Sequence, residues 1–189
     1  TSVEEEKLEL ALIELKKERP LQYILGTTYF MDLELEVNAA VLIPRPETEE
    51  LVQWIVSDED KLNPLTILDL GTGSGCIAIS LKKAAQQWKV SALDVSEQAL
   101  DVAQRNASKN EASIQFHLED ILDKKPWLKP LDVIVSNPPY VVPSEKEQML
   151  SNVLDYEPDL ALFVPEQDPL LFYKRIIEFA QQNLKPSGA

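Results

Sequence analysis

The sequence predicts an α/β protein: a mostly parallel sheet with helices on both faces, preceded by a small N-terminal helix and β-hairpin element. Three observations carry this. Short apolar runs at 65–70, 90–93, 114–117 and 131–135 alternate with longer segments of helical period, as strands joined by crossover helices do. Two of those runs end in an aspartate, Asp69 and Asp94, where a strand gives way to a turn. The chain has 189 residues, 44% of them hydrophobic, enough for one well-buried domain plus an appendage.

The elements follow in order. Residues 3–18 form a helix with Val3, Leu8, Ala11, Leu12 and Leu15 near one face, and Arg19-Pro20 ends it. Residues 22–25, 28–30 and 33–37 read as short strands. The last shows the alternation Leu33, Leu35, Val37, and Gly26 is expected to turn the first pair. Pro44-Arg45-Pro46 is a rigid entry to a helix with Leu51, Val52 and Ile55 at helical spacing. After Asn63-Pro64 the α/β alternation begins. Strand 65–70 leads through a glycine turn, 71–75, into helix 76–85. Strand 90–93 leads into helix 96–109, with Ser96 as its N-cap. Strands 114–117 and 131–135, a short helix at 144–150 and an amphipathic helix at 168–184 carrying Leu171, Phe172, Ile176 and Phe179 complete the reading. The appendage covers 1–43 and the α/β domain 44–189. Residues 184–188 read as a helix exit that should lead into another strand, so C-terminal strands of the sheet are expected beyond Ala189.

Charge narrows the partners. Lys plus Arg is 18 and Asp plus Glu is 32, a net charge of −14. The longest basic clusters are pairs: Lys16-Lys17, Lys82-Lys83 and Lys124-Lys125. Neutralising a phosphate backbone takes a basic stripe, so no direct nucleic-acid contact is expected, and an acidic body favours a basic partner. No apolar run approaches the roughly 20 residues of a membrane span. The lone cysteine, Cys76, forms no internal disulfide, which fits a reducing compartment. A cytoplasmic monomer is expected. His117, the only histidine, has no metal-binding companion.

Two motifs carry chemistry. Asp69-Leu70-Gly71-Thr72-Gly73-Ser74-Gly75 joins a strand to a helix. Glycines let the backbone approach a ligand, and the new helix offers free N–H groups to an anionic group. The dinucleotide pattern needs glycine where Cys76 stands, and the Gly-Lys-Ser or Gly-Lys-Thr of a P-loop is absent. Asp94 ends the next strand, about 20 residues on, where a carboxylate meets a ribose. A turn for a small anionic group and a ribose carboxylate, without a diphosphate motif, point to S-adenosylmethionine. Asp120 or the Ile121 N–H is placed to meet the adenine, with a plain surface-loop carboxylate as the alternative for Asp120.

Asn137-Pro138-Pro139-Tyr140 follows the fourth strand. Two prolines cannot continue a ladder, so the strand stops and a stiff, carbonyl-rich turn presents one amide and one ring. That equipment suits a flat, neutral NH2 group: two acceptors for its hydrogens and a ring against its face.

These motifs resemble class I S-adenosylmethionine-dependent methyltransferases that act on amide or exocyclic amino nitrogens. Arg19-Pro20-Leu21-Gln22-Tyr23-Ile24-Leu25-Gly26 and Leu42-Ile43-Pro44-Arg45-Pro46-Glu47-Thr48-Glu49 are similar to the HemK/PrmC family, which methylates the glutamine of the Gly-Gly-Gln motif in peptide-chain release factors. The resemblance implies that Gly71, Thr72, Gly73, Ser74 and Gly75 cradle the methionine part of the cofactor, that Asp94 holds the ribose and that Ile121 lies beside the adenine. It implies that Asn137 touches both cofactor and substrate, that Pro138, Pro139 and Tyr140 complete the glutamine pocket, and that residues 44–48 line the site. Catalysis is expected from Asn137, Pro138 and Tyr140. The alternatives are an adenine-N6 methyltransferase of DNA or RNA, which shares the Asn-Pro-Pro-Tyr motif, and a non-catalytic cofactor-binding module. Arg45 is read as meeting the cofactor carboxylate or a substrate backbone, or as pairing with Glu47 or Glu49.

Overall fold

The computed structural model describes residues 2–124, 127 and 130–189; Lys125 of the third basic pair lies outside them. The N-terminal elements are α1 (Ser2–Lys16), α2 (Leu21–Leu25), β1 (Thr27–Phe30), β2 (Leu33–Glu36) and α3 (Pro46–Asp58). The α/β unit runs β3 (Thr66–Leu70), α4 (Cys76–Ala84), β4 (Lys89–Asp94), α5 (Glu97–Lys109), β5 (Gln115–Leu118) and β6 (Val133–Ser136). It continues through α6 (Ser151–Leu154), α7 (Asp159–Leu162) and α8 (Leu171–Asn183).

Strands β3 to β6 make one parallel sheet in the order β5-β4-β3-β6. Register puts Leu70 opposite both Leu93 and Ser136, so the C-terminal ends of β3, β4 and β6 lie flush. The chain leaves β3 toward β4 on one side and returns to β6 on the other. That reversal is the switch point at which open α/β sheets bind ligands.

Strand β3 alternates between two cores because successive side chains point to opposite faces. Ile67 faces a cluster with Val52 of α3, Ile77 and Leu81 of α4, and Trp88, all buried. Leu68 and Leu70 face the other side, against Leu93, Leu131 and Phe179 of α8. The hairpin joins the first core through Phe30 and Leu35. Asn106 of α5, fully buried, clasps it there: its Oδ1 accepts the Glu36 N–H at 2.6 Å, and its Nδ2 donates to the carbonyls of Glu36 at 3.0 Å and Ser74 at 2.9 Å.

The structure corrects several sequence expectations. Residues 22–25 are helical, within α2, not a strand. Pro20 precedes the helix and Gly26 closes it in the left-handed conformation at φ 74°. Gly26 therefore ends a helix instead of turning a strand pair. The hairpin turn is Met31-Asp32, both at positive φ, 48° and 62°, the two-residue geometry that matches strand twist. The apolar face expected on the first helix is not buried: Val3, Leu8, Leu12 and Leu15 are 41% to 62% exposed. The fourth strand begins at Val133, and Leu131 instead bridges to Leu184. The short helix near 144 is a 3-10 segment, Pro143–Gln148. The last helix starts at Leu171, three residues late, and α6 and α7 were not expected. Ser96 caps α5 as expected, its Oγ accepting the Ala99 N–H at 3.2 Å.

Candidate active site

A cleft of about 1060 Å³, including its open mouth, lies over the flush ends of β3, β4 and β6. The glycine turn forms its floor. Gly71 and Thr72 donate their N–H groups to the Leu93 carbonyl at 2.9 and 3.0 Å, tying the turn to the end of β4. Gly71 and Gly73 hold φ at 70° and 54°, and nothing stands within 4 Å of where a Cβ would project. The bare backbone thus faces open space. Gly75 does not line the cleft. It sits behind the turn at φ 82°, and a Cβ there would meet Ile79 Cδ1 at 3.0 Å and Ala103 Cβ at 3.2 Å.

Two carboxyls anchor this floor. Asp94 accepts the Gly73 N–H at 2.8 Å and the Ser96 N–H at 3.0 Å. Burial raises its pKa, against the lowering effect of those N–H groups. Asp69 is 1% exposed and accepts the Thr72 hydroxyl at 2.6 Å through Oδ2; Oδ1 makes no well-formed hydrogen bond among the described residues, although the Ala78 N–H lies near enough to the carboxylate to favour its charge. Burial pushes its pKa up to about 7; the Thr72 bond opposes the shift and the Asp94 charge adds to it.

Another part of the cleft lining comes from β6 and the N-terminal segment. Asn137, Pro138 and Pro139 line it, together with Pro44, Arg45 and Thr48. Asn137 is half-buried, and its Nδ2 donates to Thr48 Oγ1 at 3.3 Å. Tyr140 is 59% exposed and stands outside the lining. Ile121, Phe172 and Ile176 supply apolar wall. The Ile121 carbonyl is fixed by Arg175, 5% exposed, whose Nε donates to it at 2.6 Å.

Most of the sequence-predicted residues thus meet in one cleft: Gly71, Thr72, Gly73, Ser74, Asp94, Ile121, Asn137, Pro138 and Pro139. Asp120 lines it too, while its carboxylate caps the following turn by accepting the Leu122 N–H at 2.8 Å. Arg45 pairs with neither nearby glutamate. Its guanidinium meets Glu157 at 2.7 Å, whose other oxygen accepts the Ile43 N–H at 3.3 Å. Glu157 was missed because its partner is 112 residues distant and no local spacing marks it. Burial pushes the Cys76 thiol up to about 12, an inert packing group. His117 lies edge-on to Trp127, ring centroids 4.9 Å apart. No cluster of metal-ligating side chains occurs among the described residues.

A parallel sheet with this switch-point cleft is the architecture of class I methyltransferases. Residues 48–155 match the family model "Methyltransferase small domain". Among solved structures, the hMettl16 catalytic domain in complex with an RNA hairpin superposes with TM-score 0.64 at 19% identity, covering 87% of this chain and 64% of that one. The Pyrococcus abyssi tRNA (uracil-54, C5)-methyltransferase with S-adenosyl-L-homocysteine gives 0.51 at 18%, covering 80% and 36%. At these identities they share the fold alone. Sequence relatives are nearer. The release factor glutamine methyltransferase of Flavobacterium psychrophilum is 52% identical over 183 residues, covering 95% of this chain and 64% of its own length. That of Bacteroides thetaiotaomicron is 46% identical over 189 residues, covering 100% and 67%. The chain belongs to the release factor glutamine methyltransferase family, and it spans about two thirds of the length of these relatives.

Proposed function

We propose that the chain transfers a methyl group from S-adenosylmethionine to the side-chain amide nitrogen of the glutamine in the Gly-Gly-Gln motif of release factors. One observation carries the reading: the glycine turn with Asp94 and the Asn137-Pro138-Pro139 turn open into the same cleft. A nucleotide-like ligand on the first would lie beside an amide held by the second. The names of these relatives supply the acceptor. In this reading residues 44–189 are the methyltransferase domain, 1–43 lead into it, and the protein works as a cytoplasmic monomer.

The cleft's residues fit the cofactor. The open space over Gly71 and Gly73 leaves room for the methionine part against bare backbone. Asp94 lies at the end of β4 with lone pairs left for ribose hydroxyls, since each carboxylate oxygen accepts more than one hydrogen. Ile121 and Ile176 offer apolar surface to the adenine. Thr72, Ser74 and Gly75 complete the turn, Gly75 by letting it close tightly onto α4. When bound, S-adenosylmethionine supplies an electrophilic methyl group.

The rest falls to this chain's own atoms. An amide nitrogen is a poor nucleophile because its lone pair is delocalised. Asn137 Oδ1 and the Pro138 carbonyl accept the two amide hydrogens and hold the nitrogen in line for attack. Such positioning is worth roughly 7–11 kcal/mol in favourable cases. The same acceptors stabilise positive charge growing on the nitrogen, as an oxyanion hole does for negative charge. Pro139 stiffens the turn and Tyr140, at the rim, packs against the planar amide. The proton leaves after transfer, so no strong base is required beside the nitrogen.

A nucleobase acceptor has less support. The RNA-acting structures share the fold alone, and a net charge of −14 opposes a phosphate backbone. The test is incubation with methyl-labelled S-adenosylmethionine, a release factor and its Gly-Gly-Gln Gln→Ala variant. Label enters the first and not the second; label on DNA or RNA alone would overturn the reading.

A further inference from the structure

Two side chains meet across the acceptor side of the cleft. Asn137 leaves the end of β6, and its Nδ2 donates to Thr48 Oγ1 at 3.3 Å. Thr48 is 7% exposed and lies in the first turn of α3, its N–H bonded to the Arg45 carbonyl at 3.0 Å. That turn is fixed at its start. Pro46 opens the helix directly after Arg45. The Arg45 guanidinium is held by Glu157, which also takes the Ile43 N–H. Glu157 is 5% exposed, so water competes little for either bond.

An asparagine side chain has a donor end and an acceptor end of nearly the same shape. Which end faces the acceptor nitrogen decides whether the group can take a hydrogen from it. With Nδ2 on Thr48, Oδ1 is the end left to accept, and no donor among the described residues reaches it. A reversed amide would set its own NH2 against the NH2 of a glutamine, donor to donor.

We infer that Thr48 is a positioning residue for methyl transfer: its hydroxyl, which here accepts from Nδ2, fixes the Asn137 amide and leaves its oxygen to face the nitrogen to be methylated. The inference rests on the methyl-transfer reading above. Turnover and cofactor affinity are followed separately, because Asn137 at the end of β6 neighbours the end of β3 that leads into the glycine turn.

The experiment compares Thr48→Val, which keeps the shape and removes the hydroxyl, with Thr48→Ser, which keeps the hydroxyl, in the full chain. Turnover is read on a Gly-Gly-Gln release factor and cofactor affinity by calorimetry. Thr48→Val lowers kcat about tenfold, equivalent to ~1.4 kcal/mol. Cofactor Kd stays within about twofold, and Thr48→Ser restores kcat to within about twofold of wild type, the limit of a change that leaves the hydrogen bond in place. In the Asn137→Ala background, Thr48→Val costs the single-turnover rate no more than about twofold, because two changes on one interaction are not additive. Unchanged kcat in Thr48→Val, a full loss repeated without Asn137, or Thr48→Ser as impaired as Thr48→Val would each overturn the role. A readout independent of turnover is the side-chain NH2 resonance of Asn137, assigned by its disappearance in Asn137→Ala. It shifts in Thr48→Val and holds in Thr48→Ser; no shift in the valine variant overturns the contact. If the wild-type chain labels no release factor, the proposed function falls and the role in transfer with it, while the resonance comparison still decides the Thr48–Asn137 contact.

Discussion

At the scale of single residues, Asn137 carries the greatest consequence. It is half-buried at the end of β6, and Pro138 behind it is buried, so the amide is presented from a stiff support. In the proposed reaction, replacing Asn137 by alanine removes the acceptor for the amide hydrogens and leaves Gly71, Gly73 and Asp94 untouched. Turnover in Asn137→Ala should fall by at least ~10²-fold, the usual cost of one such group, while calorimetry finds cofactor affinity within several-fold of wild type. Near-normal turnover would remove Asn137 from the chemistry. Asn137, Gly71, Gly73 and Asp94 were legible in the sequence because each is fixed by a strand end and a local turn pattern. Glu157 was not, since nothing near it in the chain discloses that Arg45 and Ile43 fold onto it. Tyr140 was legible as part of a motif, but its exposed place at the rim was not.

At the scale of elements, the joint between β3 and α4 is the most exacting. Gly75 holds φ at 82°, and a Cβ would press on Ala103 of α5 as well as Ile79. Gly75→Ala should lower the unfolding free energy by roughly 1–3 kcal/mol, the cost of holding a non-glycine residue in a left-handed conformation. Chemical denaturation checks this; an unchanged midpoint would mean the turn relaxes freely. The strands and helices of the α/β unit were readable because apolar runs of four to six residues alternate with helical periodicity. Residues 22–25 were not. A short apolar segment does not distinguish helix from strand by period. What decides it is the bracket of Pro20 and Gly26 together with Tyr23, whose hydroxyl donates to the Val41 carbonyl at 2.6 Å within the core.

At the scale of the whole molecule, the sheet encloses a carboxyl that titrates far from its ordinary range. Asp69 ionises near pH 4 when unfolded and near 7 when folded, chiefly because burial penalises its charge. Between those values the folded state holds a proton that the unfolded state has released. Stability from this group is therefore full at the acid end and is lost as pH rises through 7, with a slope of up to ~1.4 kcal/mol per pH unit. Asp69→Asn should flatten that part of the profile of unfolding free energy between pH 4.5 and 7.5; a parallel profile would show the carboxyl to be ionised throughout. The clasp made by Asn106 has a consequence of another kind. One buried side chain bonds the hairpin, 70 residues before it in the chain, and the glycine turn, 32 residues before it. Ser74 of the turn and Glu36 of the hairpin therefore share one amide, which cannot leave either without leaving the other. A change at Asn106 reaches the hairpin and the floor of the cleft together, because it leaves buried polar groups on both without their partner.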